Sequence, residues 1–330
     1  MMNHFKPVKI GIIGVGHLGK FHLQQIQEIN TAKLMGIYDQ DLQHAKEWGN
    51  IQGIPVFDTL EGLLSVCNAV SIVTPTTAHY EVASRALMND CHVFIEKPIT
   101  KTVAEARDLL RRAEKKNLII QVGHIEQFNP AFLAIRSMEL DPRFIESHRL
   151  APFNLRGTDV PVVLDLMIHD IGIILSMVPS PIREIHASGV KVASDTADIA
   201  NARIEFENGC VANLTCSRIS QKKMRKLRFF QHNAYVTVDF LLSVVEIYRV
   251  TDHLPTLREN ELSFKIDGHH EKYVIYQKPA VEPQNALKLE LAHFIESIQH
   301  RRAPVVDGHS ATNALEIAIR IQNIIDRADT

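Results

Sequence analysis

Residues 8–19 read VKIGIIGVGHLG. A β-rich run meets three glycines, Gly14, Gly16 and Gly19, spaced G-x-G-x-x-G, and then Leu18, Phe21, His22, Ile26 and Ile29 recur at helical spacing, which predicts a helix over 17–29. Strand, glycine loop and helix in this order make a cradle for a pyrophosphate. Glycine permits the tight turn and close backbone approach, and the helix N-terminus presents free N–H groups. His17 and Leu18 lie within the same loop and belong to the expected cofactor contacts. The next strand, KLMGIYD, ends at Asp39, 20 residues beyond Gly19, where a carboxylate can accept from ribose hydroxyls. The same carboxylate would repel a 2′-phosphate about 4 Å away by about 4 kcal/mol at an effective dielectric near 20, so NAD is expected over NADP. The bland readings are a structural turn for the glycines and a solvated strand end for Asp39.

Outward from this stretch, residues 8 to about 122 alternate short β-rich runs with amphipathic ones. KLMGIYD, a short VF, AVSIVTP, CHVFIEKP and LIIQVGH join the first run as six strand candidates. Helices are expected near 41–49, 59–66, 77–89 and 102–116. The pattern predicts an α/β fold opening with a doubly wound parallel Rossmann sheet. Beyond it come helices near 129–139 and 162–177 with a polar loop, NLRGTDVP, between them. Mostly strands follow over 182–278, including DIANARIEFENG, CVANLTCSRIS and YVTVDF, and then helices near 284–300 and 309–326. Strands without intervening helices imply a mostly antiparallel sheet in a second, α+β domain. The expected division is residues 1–123 for dinucleotide binding and 124–330 for substrate binding and oligomerisation, the last helices packing back on the first domain.

The 330 residues are 45% hydrophobic and 22% charged with a net charge of −2, so no global field draws nucleic acid or an anionic membrane. No segment reaches the roughly 20 apolar residues of a membrane span. The N-terminus carries no apolar stretch of leader length. Cys67, Cys91, Cys210 and Cys216 show no C-x-x-C spacing and suit buried thiols in a reducing cytoplasm.

Two further stretches carry chemistry. In HVFIEKPITK, residues 92–101, Lys97 lies at the carboxyl end of a parallel strand, where open α/β sheets bind ligands, and Pro98 restrains the backbone that aims it. Glu96 either holds Lys97 or lies near the cofactor ribose, and a solvated ion pair at a strand tip is the competing reading. In VVLDLMIHDIG, Asp165 and His169 are four apart and share a helical face, so the carboxylate can orient an imidazole suited to proton transfer near neutrality. A structural histidine is the alternative. Asp165, His169 and Asp170 do not make a metal site, since only two share a face and no cysteine or second histidine stands at ligand spacing. His124 and Glu126 follow the last Rossmann strand, within reach of a substrate. Asn129 is either a further substrate ligand or the cap of a helix with Pro130 at its first position. The basic run KKMRKLR, residues 222–228, alternates across a strand. It reads as a solvated strand or as a site for a nucleotide-sugar diphosphate, with little support for nucleic acid.

The ordered motifs GIIGVGHLG, SIVTPTTAHY, HVFIEKPI, VGHIEQFNPA, VVLDLMIHDI and PVVDGHSATNALEIA resemble those of the Gfo/Idh/MocA family of nicotinamide-dependent oxidoreductases, over nearly the whole chain. The resemblance implies a Rossmann domain and a large antiparallel sheet used for homodimer or homotetramer contacts. It implies a sugar, nucleotide-sugar or related hydroxy substrate bound between the domains, and no metal. It places Thr74, Pro75 and His79 on the cofactor side, where the residues alone also allow Thr74 as a helix cap and His79 as a packed ring. It favours Lys97 as the polarising cation and His169 as base or relay, both touching substrate, with Asp165 as the orienter of His169 or a substrate-hydroxyl ligand, Lys97 and His169 being able to exchange roles. GHIEQFNPA and DLMIHDI are most similar to the branch that oxidises UDP-N-acetylglucosamine at carbon 3. That branch usually has GHIERFNP and HDID, so Gln127 and Gly172 stand where a cation and a carboxylate are expected. Oxidation or reduction of a free polyol, an inositol or another carbonyl compound, or a cofactor-binding sensor without catalysis, are the alternatives.

Overall fold

The computed structural model describes residues 5–153, 160–258, 260–268 and 272–328, so residues 154–159 of the expected NLRGTDVP loop lie outside the described residues. The chain separates into two compact units, one of Met1–Ile125 with Asn285–Leu315 and one of Glu126–Gln284 with Glu316–Thr330.

The first unit runs β1 (Val8–Ile13), α1 (His17–Gln27), β2 (Ala32–Tyr38), α2 (Leu42–Gln52), α3 (Leu60–Leu64), β3 (Ala69–Ile72), α4 (Thr76–Met88), β4 (His92–Glu96), α5 (Val103–Lys116) and β5 (Ile120–Gly123). The strands form one sheet in the order β2-β1-β3-β4-β5, and every pairing is parallel. β3 and β5 are buried at every position, as strands covered by helices on both faces must be. Five strands stand where six are expected, because VF contributes only an isolated bridge between Val56 and Ile37. Two residues next to Pro55 are too short a run to extend a ladder.

In α1 the buried stripe is Gly19, His22, Leu23 and Ile26. Leu18 and Phe21, expected among the buried positions, face outward at 53% and 45% exposure, one residue off the stripe that the 3.6-residue period selects. α5 is opened by a reciprocal capping box between Thr102 and Glu105.

The second unit contains α6 (Pro130–Ile135), β6 (Pro142–Leu150), a π-helical turn (Val163–Met167), α7 (Ile168–Met177) and eight further strands. These are β7 (Ile182–Val190), β8 (Ile199–Phe206), β9 (Val211–Ser217), β10 (Met224–Gln231), β11 (Ala234–Asp239), β12 (Val244–Thr251), β13 (Glu261–Lys265) and β14 (Tyr273–Gln277). They build a nine-stranded sheet in the order β13-β14-β12-β11-β10-β6-β9-β8-β7. Only the β6–β9 pairing is parallel among its described ladders. One face of this sheet buries Ile145, Ala202, Ile204, Leu214, Leu227, Phe229, Val236 and Val245, alternating with half-exposed residues on the other face.

The chain closes with α8 (Ala286–His300) and α9 (Gly308–Ala328). α8 belongs to the first unit, where Leu291, Phe294 and Ile295 join Ile10, Ile12, Ala69 and Phe94 in one core cluster with residues of α1.

Candidate active site

The sheet order of the first unit reverses between β1 and β3, and the crevice at such a switch point, outside the carboxyl ends of the strands, is where an open α/β sheet takes its ligand. Gly14 follows β1 with φ +92°, and a Cβ there would stand 2.7 Å from the carbonyl oxygen of Val73, just after β3. A Cβ on Gly19 would stand 2.0 Å from the Gly14 carbonyl oxygen. Side chains at these positions would force the two loops apart. Gly16 is the N-cap of α1 and makes no side-chain cap, so the amides of the first turn point out of the loop.

Asp39 closes this loop from the side. Its Oδ2 accepts from Val15 N at 2.8 Å and its Oδ1 from Asp41 N at 3.0 Å, and each oxygen keeps lone-pair capacity for a ribose hydroxyl. His17 packs edge-on against Phe21 at 5.2 Å between ring centroids. The hydroxyl of Thr74 is buried without a partner among the described residues, and Pro75, not Thr74, is the N-cap of α4. The helix-cap reading of Thr74 is therefore set aside. Glycine loop, outward amides, an acceptor at the end of β2 and a buried hydroxyl after β3 together fit a dinucleotide.

His79 is buried with both ring nitrogens committed, Nδ1 lying 2.9 Å from the Pro98 carbonyl oxygen and Nε2 2.9 Å from that of Thr74. Burial holds its pKa below the usual histidine value against the pull of these carbonyls. Its place is between the Thr74 loop and the EKP segment, where it positions both.

In the EKP segment the Glu96 carboxylate is engaged on both oxygens. Glu96 Oε1 meets His22 Nε2 at 2.9 Å, and Glu96 Oε2 accepts from the Lys97 amide at 3.2 Å. His22 Nδ1 in turn meets Ser71 Oγ at 2.9 Å. Burial works to raise the Glu96 pKa, yet the His22 hydrogen bond and the Lys97 charge outweigh it and hold the carboxyl below the usual range. The space over Gly123 is filled by this carboxylate, 2.9 Å from where a Cβ would stand. Glu96 thus anchors α1 and orients the half-buried Lys97. The Lys97–Pro98 peptide is cis. His124 is buried and kept neutral, its pKa pushed down to about 4 by burial and then by the Lys97 cation.

In the second unit Asp165 stands in the π-helical turn and His169 in the first turn of α7, so their shared face comes from a locally widened helix rather than a regular one. Both are half-buried. Asp170 beside them is buried and bound by Arg149, whose Nη2 donates to Oδ1 at 2.8 Å and whose Nε reaches both oxygens. Arg149 Nη1 donates to Glu126 Oε1 at 2.8 Å, and Arg225 Nη1 to the same oxygen at 3.1 Å. Burial disfavours the Arg149 cation, but Asp170 and Glu126 raise its pKa above the ordinary value. Two cations and two carboxylates close this cluster and tie β6 to α7.

Two expected substrate ligands are therefore committed elsewhere. Glu126 spends its carboxylate on Arg149, Arg225 and Asn129. Asn129 caps α6 through Ala131 N and donates to Glu126 and the Phe240 carbonyl, with Pro130 first in the helix. Of the basic run, Arg225 turns to Glu126, while Lys226 and Arg228 reach Asp239 and Glu146 on the opposite face. That is the alternation expected of a strand.

Gln127 and Gly172 also meet. Gln127 Nε2 donates to the Gly172 carbonyl at 3.0 Å and to Ser176 Oγ at 3.2 Å. The two places where the sequence lacks a cation and a carboxylate thus face each other, and a neutral hydrogen bond spans them. His22, Ser71, Arg149 and Arg225 escape a reading of the sequence. His22 sits at an apolar helical position, and Arg149 occupies an inward position of a strand with Ser147, where apolar alternation fails.

Residues 8–124 match the oxidoreductase family GFO_IDH_MocA with its NAD-binding Rossmann fold, and residues 146–236 match the family's C-terminal domain. UDP-N-acetylglucosamine 3-dehydrogenase of Acidithiobacillus ferrooxidans is 34% identical over 321 residues, covering 97% of each chain. A solved structure of that enzyme superposes with a TM-score of 0.87 at 33% identity, over 97% of this chain and 98% of the other. The scyllo-inositol 2-dehydrogenase (NAD(+)) of Bacillus subtilis is 24% identical over 337 residues, 96% of this chain and 93% of its own. The chain belongs to the Gfo/Idh/MocA family of NAD-binding oxidoreductases. It is an enzyme of that class with a Rossmann unit and a large mostly antiparallel sheet.

Proposed function

We propose that the chain transfers a hydride between NAD and a secondary hydroxyl of a nucleotide sugar, with UDP-N-acetylglucosamine oxidised at carbon 3 as the leading substrate. Similarity to the Acidithiobacillus enzyme over almost the full length of both chains supports this substrate. The observation that carries the chemistry is Lys97, held at the carboxyl end of β4 by a carboxylate that is itself anchored on α1.

Gly14, Gly16, Gly19 and the first turn of α1, with His17 and Leu18, would hold the pyrophosphate. Asp39 would take the adenosine ribose hydroxyls, which favours NAD. Thr74 and Pro75 would border the nicotinamide end. NAD supplies the hydride acceptor. A secondary hydroxyl is not acidic at neutral pH, so the chain must polarise its oxygen and take its proton. Lys97 presents a compact cation with three donors for the oxygen. His169, oriented by Asp165, takes the proton, and neutral His124 contacts a substrate hydroxyl. Glu96 and His79 position Lys97 and its loop. Residues 1–123 for the dinucleotide and 124–330 for substrate and assembly remain the functional division of this reading, although Asn285–Leu315 packs with the first unit.

A homodimer or homotetramer through the nine-stranded sheet belongs to this reading. Phe144, Phe230, Tyr235, Tyr248 and Tyr276 form an aromatic row across five strands, with successive centroids 6.0, 4.6, 5.5 and 5.0 Å apart. Phe264 and Leu262, at 50% and 61% exposure, extend this apolar surface. Among the described residues no helix is long and apolar enough to cross a membrane, and the four cysteines are free and buried, which supports a cytoplasmic setting.

The deciding experiment follows the reduced-nicotinamide absorbance with UDP-sugars, free sugars and inositols, offered NAD and NADP separately. Turnover of UDP-N-acetylglucosamine with NAD is expected. The relation to scyllo-inositol 2-dehydrogenase makes a free polyol the second reading, and turnover confined to polyols would establish it. Lys97→Met and His169→Asn should each lower kcat by about 10²-fold or more with NAD binding intact. Unchanged turnover in both variants rejects the assignment.

A further inference from the structure

Glu290 lies on α8 at 0% exposure, and neither of its carboxyl oxygens has a partner among the described protein atoms. Its surroundings explain why this is unusual. Leu291, Phe294 and Ile295 of the same helix pack with Ile10, Ile12, Ala69 and Phe94, and Phe294 stands edge-on to Phe94 at 5.8 Å. Gln121 Nε2 donates to the Glu290 carbonyl at 2.8 Å, and Gln121 Oε1 is also buried without a protein partner. In register, Ser71, Phe94 and Gln121 stand side by side across β3, β4 and β5, and Glu96 beside Gly123 lies one step further on the same face. A polar layer of His22, Ser71, Glu96, Gln121 and Glu290 is thus set inside an apolar core, and its Glu96 carboxylate accepts from the Lys97 amide.

Two carboxyls in such a layer do not both ionise near neutrality. Glu96 has His22 and the Lys97 amide to hold its charge. Glu290 has no comparable donor. Among the described titratable groups, Glu96 of β4 acts on it, with His22 of α1 bound to that carboxylate, while Lys288 of α8 turns outward to Glu28. β1, β3 and β5 contribute Ile10, Ile12, Ser71 and Gln121, which do not titrate. Burial, and then the Glu96 charge, push the Glu290 carboxyl well above its usual range, while Glu96 is held below its own. The proton of the pair therefore resides on Glu290.

We propose that Glu290 is a positioning residue, a neutral carboxylic acid beneath the EKP segment that keeps Glu96 as the single negative charge behind Lys97. Ionising Glu290 adds a second charge to the layer, which loosens the hold of Glu96 on His22 and offsets the Lys97 cation. The activity consequence rests on Lys97 acting as proposed above, whereas the protonation state does not.

Infrared spectra of the full chain with ¹³C-labelled glutamate, native against Glu290→Gln, should show the carbonyl band of a neutral acid near pH 7 that the variant lacks. Absence of the band from the native chain overturns the proposal, even where the variants fail to fold. Above the unfolded glutamate pKa near 4.3, the native unfolding constant should rise about tenfold per pH unit relative to Glu290→Gln until Glu290 ionises. Parallel drift of the two overturns it as well. The alkaline limb of kcat should move up by about one pH unit or more in Glu290→Gln, with KM for NAD unmoved, and an unmoved limb removes the positioning role. An active Lys97→Met variant would sink the catalytic reading while leaving the infrared band in place, so the two failures are distinguishable.

Discussion

His22 Nε2 lies 2.9 Å from Glu96 Oε1, joining the helix of the glycine loop to the strand that ends in Lys97 across 74 residues. The glycine loop and the EKP segment are thereby held in one frame. His22→Leu keeps the bulk but leaves the Glu96 carboxylate without its ring donor, a loss of about 1–3 kcal/mol. We expect a fall of several degrees in Tm together with weaker NAD binding, and a smaller effect for Glu96→Gln, which can still pair. Thermal unfolding with and without NAD measures both, and a native-like His22→Leu would show the pair to be incidental.

The proposed ribose contact of Asp39 is open to a direct test. Replacement by Ser removes the charge that repels a 2′-phosphate and leaves a hydroxyl for the Val15 and Asp41 amides. The ratio of NADP to NAD affinity should rise about tenfold or more. Fluorescence titration of the two reduced cofactors reads the ratio directly, and a constant ratio would move the discrimination to another residue.

Arg149 is 3% exposed and neutralises Glu126 and Asp170 together. Arg149→Met leaves two buried carboxylates, of which Glu126 keeps its contact with Arg225, and this costs about 3–5 kcal/mol. Arg149→Lys should rescue little, because an ammonium cannot reproduce the forked contact with Asp170. Urea unfolding tests this, and turnover of the folded fraction should fall, since Asp170 adjoins His169. A Lys variant as stable as the native chain would refute the geometric argument.

Much of the first unit was legible because its rules are local. The glycines, Asp39 and EKP each depend on a strand end meeting a turn, and strand ends are visible in alternation and composition. VF failed as a strand because two residues cannot show whether a ladder continues. β6 was not legible, since Ser147 and Arg149 point inward and break the apolar alternation by which a strand is recognised. The roles of Glu126 and Asn129 depended on partners 23 and 111 residues away, and no spacing rule reaches so far. His22 was visible but misread, because a histidine among apolar helical positions looks like core until its carboxylate is found on another strand.

His124 gives the chain an acid-sensitive element. Its folded pKa of about 4 lies below an unfolded value near 6.5, so the folded state resists the proton that the unfolded state accepts. Its neutral form is satisfied above pH 6.5, and stability is lost as pH falls from there toward 4, by about 3 kcal/mol at most. His79 and His92 are shifted the same way by burial and act in the same window. His124→Gln should flatten the Tm profile between pH 6.5 and 4 relative to the native chain, as differential scanning calorimetry would show. Parallel profiles would mean that His124 is protonated in the folded state.

Gln127 and Gly172 allow a test of whether two departures from the usual motifs alter the substrate or only the scaffold. Gln127 is 6% exposed and donates to the Gly172 carbonyl, so the two positions are joined through a backbone acceptor rather than acting separately. Gln127→Arg alone buries a cation and gives up the amide contacts, and Gly172→Asp alone adds a charge within α7. Each single variant should lose stability. The double variant restores opposite charges and should recover, with a coupling energy of about 1–3 kcal/mol in a denaturation cycle. Because this exchange replaces one scaffold contact by another, turnover of UDP-N-acetylglucosamine by the double variant should stay within about threefold of native, a change of less than 1 kcal/mol in the barrier. A double variant that gains or loses this substrate outright would show that the pair selects substrate, and the free-polyol reading would then become the stronger one.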